Sequence, residues 1–479
     1  MKESPLFAKT YDFIQWLIPH TLKFPREQRF VVAERLQNTV LDFMESIYQA
    51  TDKTQQTAAL KQADLKLNEA QANLMQARGA FDPKIEVDFN EKQFKNNEYY
   101  SILNSSFKIP TWYGIELKAG FDNAEGMYVN PENTLPNSGL TSFGISIPVG
   151  QGLFINQRMA DIRKAKIAQN LNAAERNLQA IEVLYEASVS YANWKRAFEE
   201  VKLYENYLVN ASNRYKGIEK LISEGDKPAI DSIEAGIVVK TRLLNLEDAK
   251  LKLIKAKLEL SNYLWLENNV PLELKDDLIP EITLSKTIKE VLQINELNPI
   301  DLNNHPKIKA LDAKIAMQKV DRKLKANALL PKLDLSYNYL SEPSYIDNYR
   351  FEDYKIGVNF SFPIFLRKER GSLKLADLKI QDSEFGLQFE RKNLENKIKA
   401  QQQEIVSLQK QQDYNNKLVK DFTTLLNAED RLFEMGESSL FIINSRENSL
   451  VSSQINEIAL ENRYLNAVIG LYKTLANPQ

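Results

Sequence analysis

Two stretches of nearly seventy residues, from Asn156 to about Glu224 and from Lys368 to about Met435, run without a proline and with few glycines. Proline interrupts a helix by removing a donor and clashing with the preceding turn. Each stretch therefore reads as one unbroken helix, about 100 Å long at 1.5 Å per residue. That exceeds the diameter of a single globular domain. A coiled or barrel-like helical assembly is needed to cover such a rod.

The two rods belong to an internal repeat. Ala63–Asn90 can be laid on Leu311–Asn338 without a gap, so that Asp64 meets Asp312, Lys66 meets Lys314 and Pro83 meets Pro331. In both copies a helical pattern of about twenty residues runs into the proline and then switches to strict alternation. Ile85, Val87 and Phe89 alternate with Lys84, Glu86 and Asp88. Leu333, Leu335, Tyr337 and Tyr339 alternate with Lys332, Asp334, Ser336 and Asn338. Period two with one polar face predicts a strand between two different environments. A second strand ends in proline in each copy, Phe143–Pro148 and Val358–Pro363. The long helix follows, then a glycine turn, Glu224–Asp231 in one copy and Met435–Ile442 in the other, and a returning helix of about half the length, to Trp265 and to Ala476. Gly225 and Gly436 suit the positive-φ residue that ends a helix, and Pro228 the first turn of the next.

Composition narrows the function classes. Lys and Arg number 62 against 64 Asp and Glu, so no nucleic-acid footprint stands out. No cysteine is present, which excludes disulfides and thiolate metal sites, and the two histidines, His20 and His305, are far apart and read as packing or helix-end residues. The chain lacks phosphate-binding glycine loops and any convincing carboxylate pair, and is expected to be no enzyme, with no catalytic residue, cofactor or metal. No apolar run approaches the length of a transmembrane helix. A bilayer crossing would have to be a β-barrel, whose signal per strand is weak.

Helix, strand, strand, long helix, glycine turn and half-length helix, written twice, resembles the TolC family of outer-membrane efflux proteins over about residues 60–475. The resemblance is carried by Gly79–Pro83, by Leu329-Leu330-Pro331 before a strand and by Phe362–Phe365 after one. The two turns carry it as well, Gly225 with Asp231 and Ala235, then Gly436–Asn444. It implies a mainly α fold with membrane β, in which a long helical hairpin tunnel is joined to strands contributed to a shared trimeric β-barrel. In that family each protomer gives four strands to a twelve-stranded barrel. Tyr99–Gly139 reads as an enlarged extracellular hairpin, with Trp112 and Tyr113 in the aromatic belt, or alternatively as extra barrel strands. Ile85, Val87, Leu333, Leu335, Val358 and Phe360 are expected to face lipid, and Glu86, Asp334 and Asn359 the lumen.

The resemblance further implies a passive duct of a tripartite efflux or type I secretion system in the outer membrane with a periplasmic extension. Its partners would be two further copies, a periplasmic adaptor, an inner-membrane pump of the RND or ABC class and outer-membrane lipid. The glycine turns are then the gate and adaptor candidates: Gly225, Asp226, Asp231, Gly436, Glu437, Ser438, Leu440, Phe441 and Ile442. Asp231 stands where the family has an acid that can latch the closed mouth. The expected basic partner is Ser438 here, and the acids that can ring the aperture are replaced by Ile442 and Ser445. A seal from Leu440, Phe441 and Ile442 is expected instead, with Asp226 and Glu437 as substitute acids.

Residues 1–62 read as foreign to this pattern. They suggest two helices, Leu6–Leu22 and Arg26–Tyr48, and resemble half of a four-helix bundle of the accessory type found with diversity-generating retroelements. Phe13–Ile18 is too short and too interrupted by Gln15 for a secretory signal. A natural fusion, an engineered chimaera or a misassembled reading frame would each give such a junction, and the rival function is a cytosolic scaffold or nucleic-acid accessory bundle. The division expected is therefore 1–62, a first repeat 63–270, a connector 271–305 and a second repeat 306–479.

Overall fold

The computed structural model describes residues 58–266, 270–275, 278–281, 284–285, 288, 302–346 and 350–476. The expectations for His20 and for the helices of the first fifty residues lie outside these.

The repeat is written into the element boundaries. Helix α1 (Ala58–Gly79) and helix α4 (Pro306–Asn327) both have 22 residues. Helix α2 (Gln157–Glu224) and helix α5 (Arg367–Glu434) both have 68. The return helices α3 (Ile230–Ser261) and α6 (Leu440–Leu475) have 32 and 36. No described helix is long and apolar enough to cross a membrane.

Among the described residues six strands form one antiparallel sheet: β1 (Lys84–Phe94), β2 (Asn97–Pro110), β3 (Glu116–Glu125), β4 (Leu140–Gly150), β7 (Lys332–Ser341) and β8 (Tyr354–Ser361), in the order β1-β2-β3-β4-β7-β8. A short separate pair, β5 (Trp265–Leu266) and β6 (Val270–Pro271), follows α3. Four strands thus come from the first repeat and two from the second. Of the two sequence readings of Tyr99–Gly139, the structure takes the extra strands: β2 pairs with the whole of β3, from Ser101↔Glu125 to Pro110↔Glu116. Hairpin β1–β2 closes on Lys95 and Asn96, both at positive φ (51° and 60°), the turn whose twist suits a two-residue hairpin.

By contact the chain separates into two units, each built from both repeats. One holds the sheet with α1, α4 and the first parts of α2 and α5. Its helices are joined by side chains: Asp64 accepts from Arg176 at 2.9 Å, Lys164 reaches Asp321 at 3.0 Å and Lys319 reaches Glu384 at 2.9 Å. The other unit holds the remainder of α2 and α5 with α3 and α6. It has a chain of small buried clusters rather than one core, as four packed rods require. Ile398, Leu408, Leu465 and Val468 form one layer, Trp194 with Ala256 and Leu260 a second, Val201 with Leu246 and Ala249 a third. His305 is buried in this unit with Nε2 3.1 Å from the carbonyl of Thr474, the packing role its isolation suggested.

Candidate functional site

The sheet has two chemically different faces, fixed by register. Because directly paired residues share a face, Ile85, Phe107, Ala119, Phe143, Tyr339 and Tyr354 form one row across all six strands. Val149, Leu333 and Phe360 form another, and Ile147, Leu335 and Val358 a third. The opposite face carries Lys84, Lys108, Lys118, Gly144, Asn338 and Lys355 in one row, and Pro148, Asp334 and Asn359 in the next. The apolar face is solvent-accessible: Ile85, Val87, Val358 and Phe360 are each more than 60% exposed. A monomeric soluble protein rarely leaves so broad an apolar surface bare. All six residues expected to face lipid lie on this side, and Glu86, Asp334 and Asn359 on the other.

Both glycine turns adopt the same cap. Gly225 (φ 86°) donates to Ile222 O while Asp226 N donates to Leu221 O. Gly436 (φ 78°) donates to Phe433 O while Glu437 N donates to Leu432 O. This paired bonding satisfies the last carbonyls of α2 and α5 and needs a left-handed residue, which glycine adopts without strain. Ser439 then caps α6, its side chain accepting from Ile442 N.

The turns lie side by side. Lys227 Nζ sits 5.0 Å from the Phe433 ring centre, and Asn444 donates to Glu234 at 3.2 Å. Leu440 packs with Ile218 and Ala235 and is only 4% exposed. Its side chain packs inside the protomer. Phe441 is 72% exposed and Ile442 less so, and Asp226 and Glu437 are exposed. Ser438 donates to Glu429, and Arg446 approaches the same carboxylate at 3.9 Å. A base therefore does stand near the second turn, ten residues beyond Gly436, but its carboxylate partner is Glu429. Asp231 forms no ion pair among the described residues.

Sequence reading missed a buried ionic layer above these turns. Glu447, 1% exposed, accepts from Arg214 at 3.1 Å and lies 3.7 Å from Arg242. Arg214 also reaches Asp430 at 3.7 Å, so α2, α3, α5 and α6 all contribute. Arg242 donates to Asn448 at 2.7 Å and lies over the Tyr207 ring. Burial, with Glu447 nearby, pushes the Tyr207 hydroxyl up to about 12. Further along, Lys195, also buried, bonds Glu199 and Glu461 at 2.6 and 2.9 Å. Burial alone would lower this lysine, but the two carboxylates outweigh it and hold it above the usual value. Apart from the i,i+4 spacing of Lys195 and Glu199, the sequence carries no local signal for these sets, whose members lie up to 266 residues apart.

Residues 51–264 and 300–477 match the family model of the outer membrane efflux protein. The chain belongs to that family. This outer membrane efflux protein matches no relative among the curated proteins. Its fold is that of solved outer-membrane channel proteins. The outer membrane channel CmeC of Campylobacter jejuni aligns at a TM-score of 0.61 and 14% identity, over 88% of this chain and 84% of that one. The open-state outer membrane channel MtrE of Neisseria gonorrhoeae gives 0.60 and 14%, over 88% and 86%. The outer membrane protein VceC of Vibrio cholerae gives 0.61 and 14%, over 88% and 93%. The chain is thus an outer-membrane efflux channel protein of two repeats, and its family is one of transport ducts. Among the described residues, no group of His, Asp and Glu could hold a metal ion.

Proposed function

We propose that the chain is one protomer of a homotrimeric, passive export duct, its sheet in the outer membrane and its helices reaching into the periplasm. The paired turns at Gly225 and Gly436 form the mouth to which a periplasmic adaptor docks, and an inner-membrane pump of the RND or ABC class supplies the energy.

The observation that carries the assembly is a second apolar seam on α3. Its buried side is the series Ala235, Arg242, Ala249 and Ala256. On another face Ile230, Ile237, Leu244, Leu251 and Leu258 recur every seven residues, each 50–72% exposed. A surface helix ordinarily keeps its outward face polar, whereas a seven-residue apolar repeat is what a helix presents to a partner helix. Helix α5 offers a matching series, Leu418, Leu425 and Leu432, at the same interval and also accessible. Seams of this kind fit other copies of the same chain.

The test is the mass of the detergent-extracted particle after delivery to the outer membrane. Three copies of the 55.1 kDa chain are expected, and a double variant with Leu244→Lys and Leu251→Lys should release monomers. A monomeric wild-type particle, or its absence from the membrane fraction, would sink the reading.

A further inference from the structure

The sheet of this chain departs from the four strands per protomer that the family resemblance implies. We infer that each copy contributes six strands, β8 of one copy pairing with β1 of the next, so that the trimer closes a barrel of eighteen strands. The copy number rests on the trimeric reading above. The strand count rests on the sheet itself.

Three observations carry it. The first is continuity: every neighbour in the order β1-β2-β3-β4-β7-β8 is antiparallel, and the apolar row through Ile85, Phe107, Ala119 and Phe143 crosses β2 and β3 without interruption. Strands of 10 and 14 residues are long enough to cross a bilayer at the usual tilt. A hairpin meant to stand above the membrane needs no such face.

The second is the state of the edges. β1 is exposed at all eleven positions, and β8 at all but one of eight. In lipid an open edge leaves unpaired N–H and C=O groups that cost several kcal/mol each. Six strands are fewer than the eight of the smallest transmembrane barrels, so one copy cannot close alone. With six alternating strands the two edges run in opposite directions. Any ring of copies related by rotation therefore joins β8 to β1 antiparallel, as a barrel requires.

The third is how the added hairpin is anchored. Four strand ends per copy connect to helices, β1 to α1, β4 to α2, β7 to α4 and β8 to α5. The β2–β3 turn lies at that same end but meets no helix of its own. It closes tightly, Thr111 N bonding Ile115 O at 2.8 Å, with Gly114 at φ 78°. Trp112 stacks on Phe81 at 5.6 Å, its carbonyl accepts from Asn156 at 3.0 Å, and Glu116 pairs with Arg158 at 2.7 Å. Asn156 is also the residue whose Oδ1 caps α2 through Met159 N. The turn is thus fastened to the helix–strand junctions on both sides of it, which places Trp112 and Tyr113 at the periplasmic rim. In the trimer, twelve helix connections serve eighteen strands, and three Trp112 turns fill the remaining places. Because barrel diameter grows about linearly with strand number, the lumen is about 1.5-fold wider than twelve strands allow.

The chain has no cysteine, so a single introduced thiol carries a spin label at one known place. Phe107→Cys and Leu117→Cys report the apolar face of β2 and β3, Ser106→Cys and Lys118→Cys the polar face, and Leu335→Cys on β7 is the reference. In the outer-membrane particle, labels at 107 and 117 should meet oxygen as readily as the label at 335. Those at 106 and 118 should be reached by a water-soluble nickel complex instead. A trimer in which the labels at 107 and 117 meet the nickel complex as freely as those at 106 and 118 overturns the eighteen-stranded barrel and leaves the trimeric duct standing. A particle that is not a trimer overturns both.

Discussion

Glu447 lies almost wholly out of solvent between two arginines and holds four helices together. A buried ion pair is weak evidence of net stabilisation, since desolvating the charges offsets much of their attraction. Breaking it is another matter. Glu447→Ala leaves the buried Arg242 without its carboxylate and Arg214 with only Asp430, at 3.7 Å, and should cost about 3–5 kcal/mol in a denaturant titration. Glu447→Gln, which keeps the shape but not the charge, should be little better. Tyr207, over which Arg242 lies, gives the same layer a pH dependence. Its hydroxyl is held to about 12 against an ordinary 10.0. The folded state thus keeps a proton that the unfolded chain releases. The contribution is full below pH 10 and lost as pH rises through 12, at up to about 1.4 kcal/mol per pH unit. Tyr207→Phe should flatten that part of the stability curve, read by unfolding at a series of alkaline pH values.

At the scale of elements, the strand faces make the sharpest claim. Arginine in place of Val87 or Leu335, on the apolar face, should cost about 2–4 kcal/mol near mid-bilayer, whereas arginine at Asp334 or Asn359 should cost much less. Equal tolerance on both faces, measured by refolding into lipid, would refute the assignment. These faces were legible because β1, β7 and β8 alternate cleanly, and the long helices because neither contains a proline. β2 was harder to read. Ser101 and Ser105 stand on its apolar side and Ile102 on its polar side, which blurs period two. The pairing explains the exception at Ser105, whose hydroxyl donates to the Phe121 carbonyl at 2.9 Å and so presents little polarity outward. With Pro110 and Gly114 falling between the two strands, the sequence left an extracellular hairpin and extra barrel strands both open for Tyr99–Gly139. The ionic layer was illegible for a different reason. Nothing near Arg242 or Arg214 in sequence distinguishes them from the solvated arginines elsewhere on these helices, and only packing of all four rods brings Glu447 between them.

For the whole molecule, the proposed duct needs a device that keeps it shut at rest. The turns at Gly225 and Gly436 are fixed by their caps, so under the proposed function a seal there would come from side chains projecting beyond them. Charge pairing at Asp231 is excluded as an internal device, because the chain offers it no ionic partner among the described residues, and Arg446 is turned to Glu429. Leu440 is already packed against Ile218 and Ala235. Phe441 remains, large, apolar and 72% exposed, with Ile442 beside it. Three copies brought together at the mouth would bury these side chains against one another. Phe441→Arg should therefore raise passive leak or abolish pump-dependent export while leaving the particle's mass unchanged. Leu440→Arg should instead destabilise the protomer, because it places a charge in a buried cluster without a partner. Asp231→Ala should change conductance little. Single-channel recording and antibiotic sensitivity separate the three. A large rise in conductance on Asp231→Ala, with none on Phe441→Arg, would mean that a neighbouring copy supplies the base that this chain does not, and that the mouth is latched by charge after all.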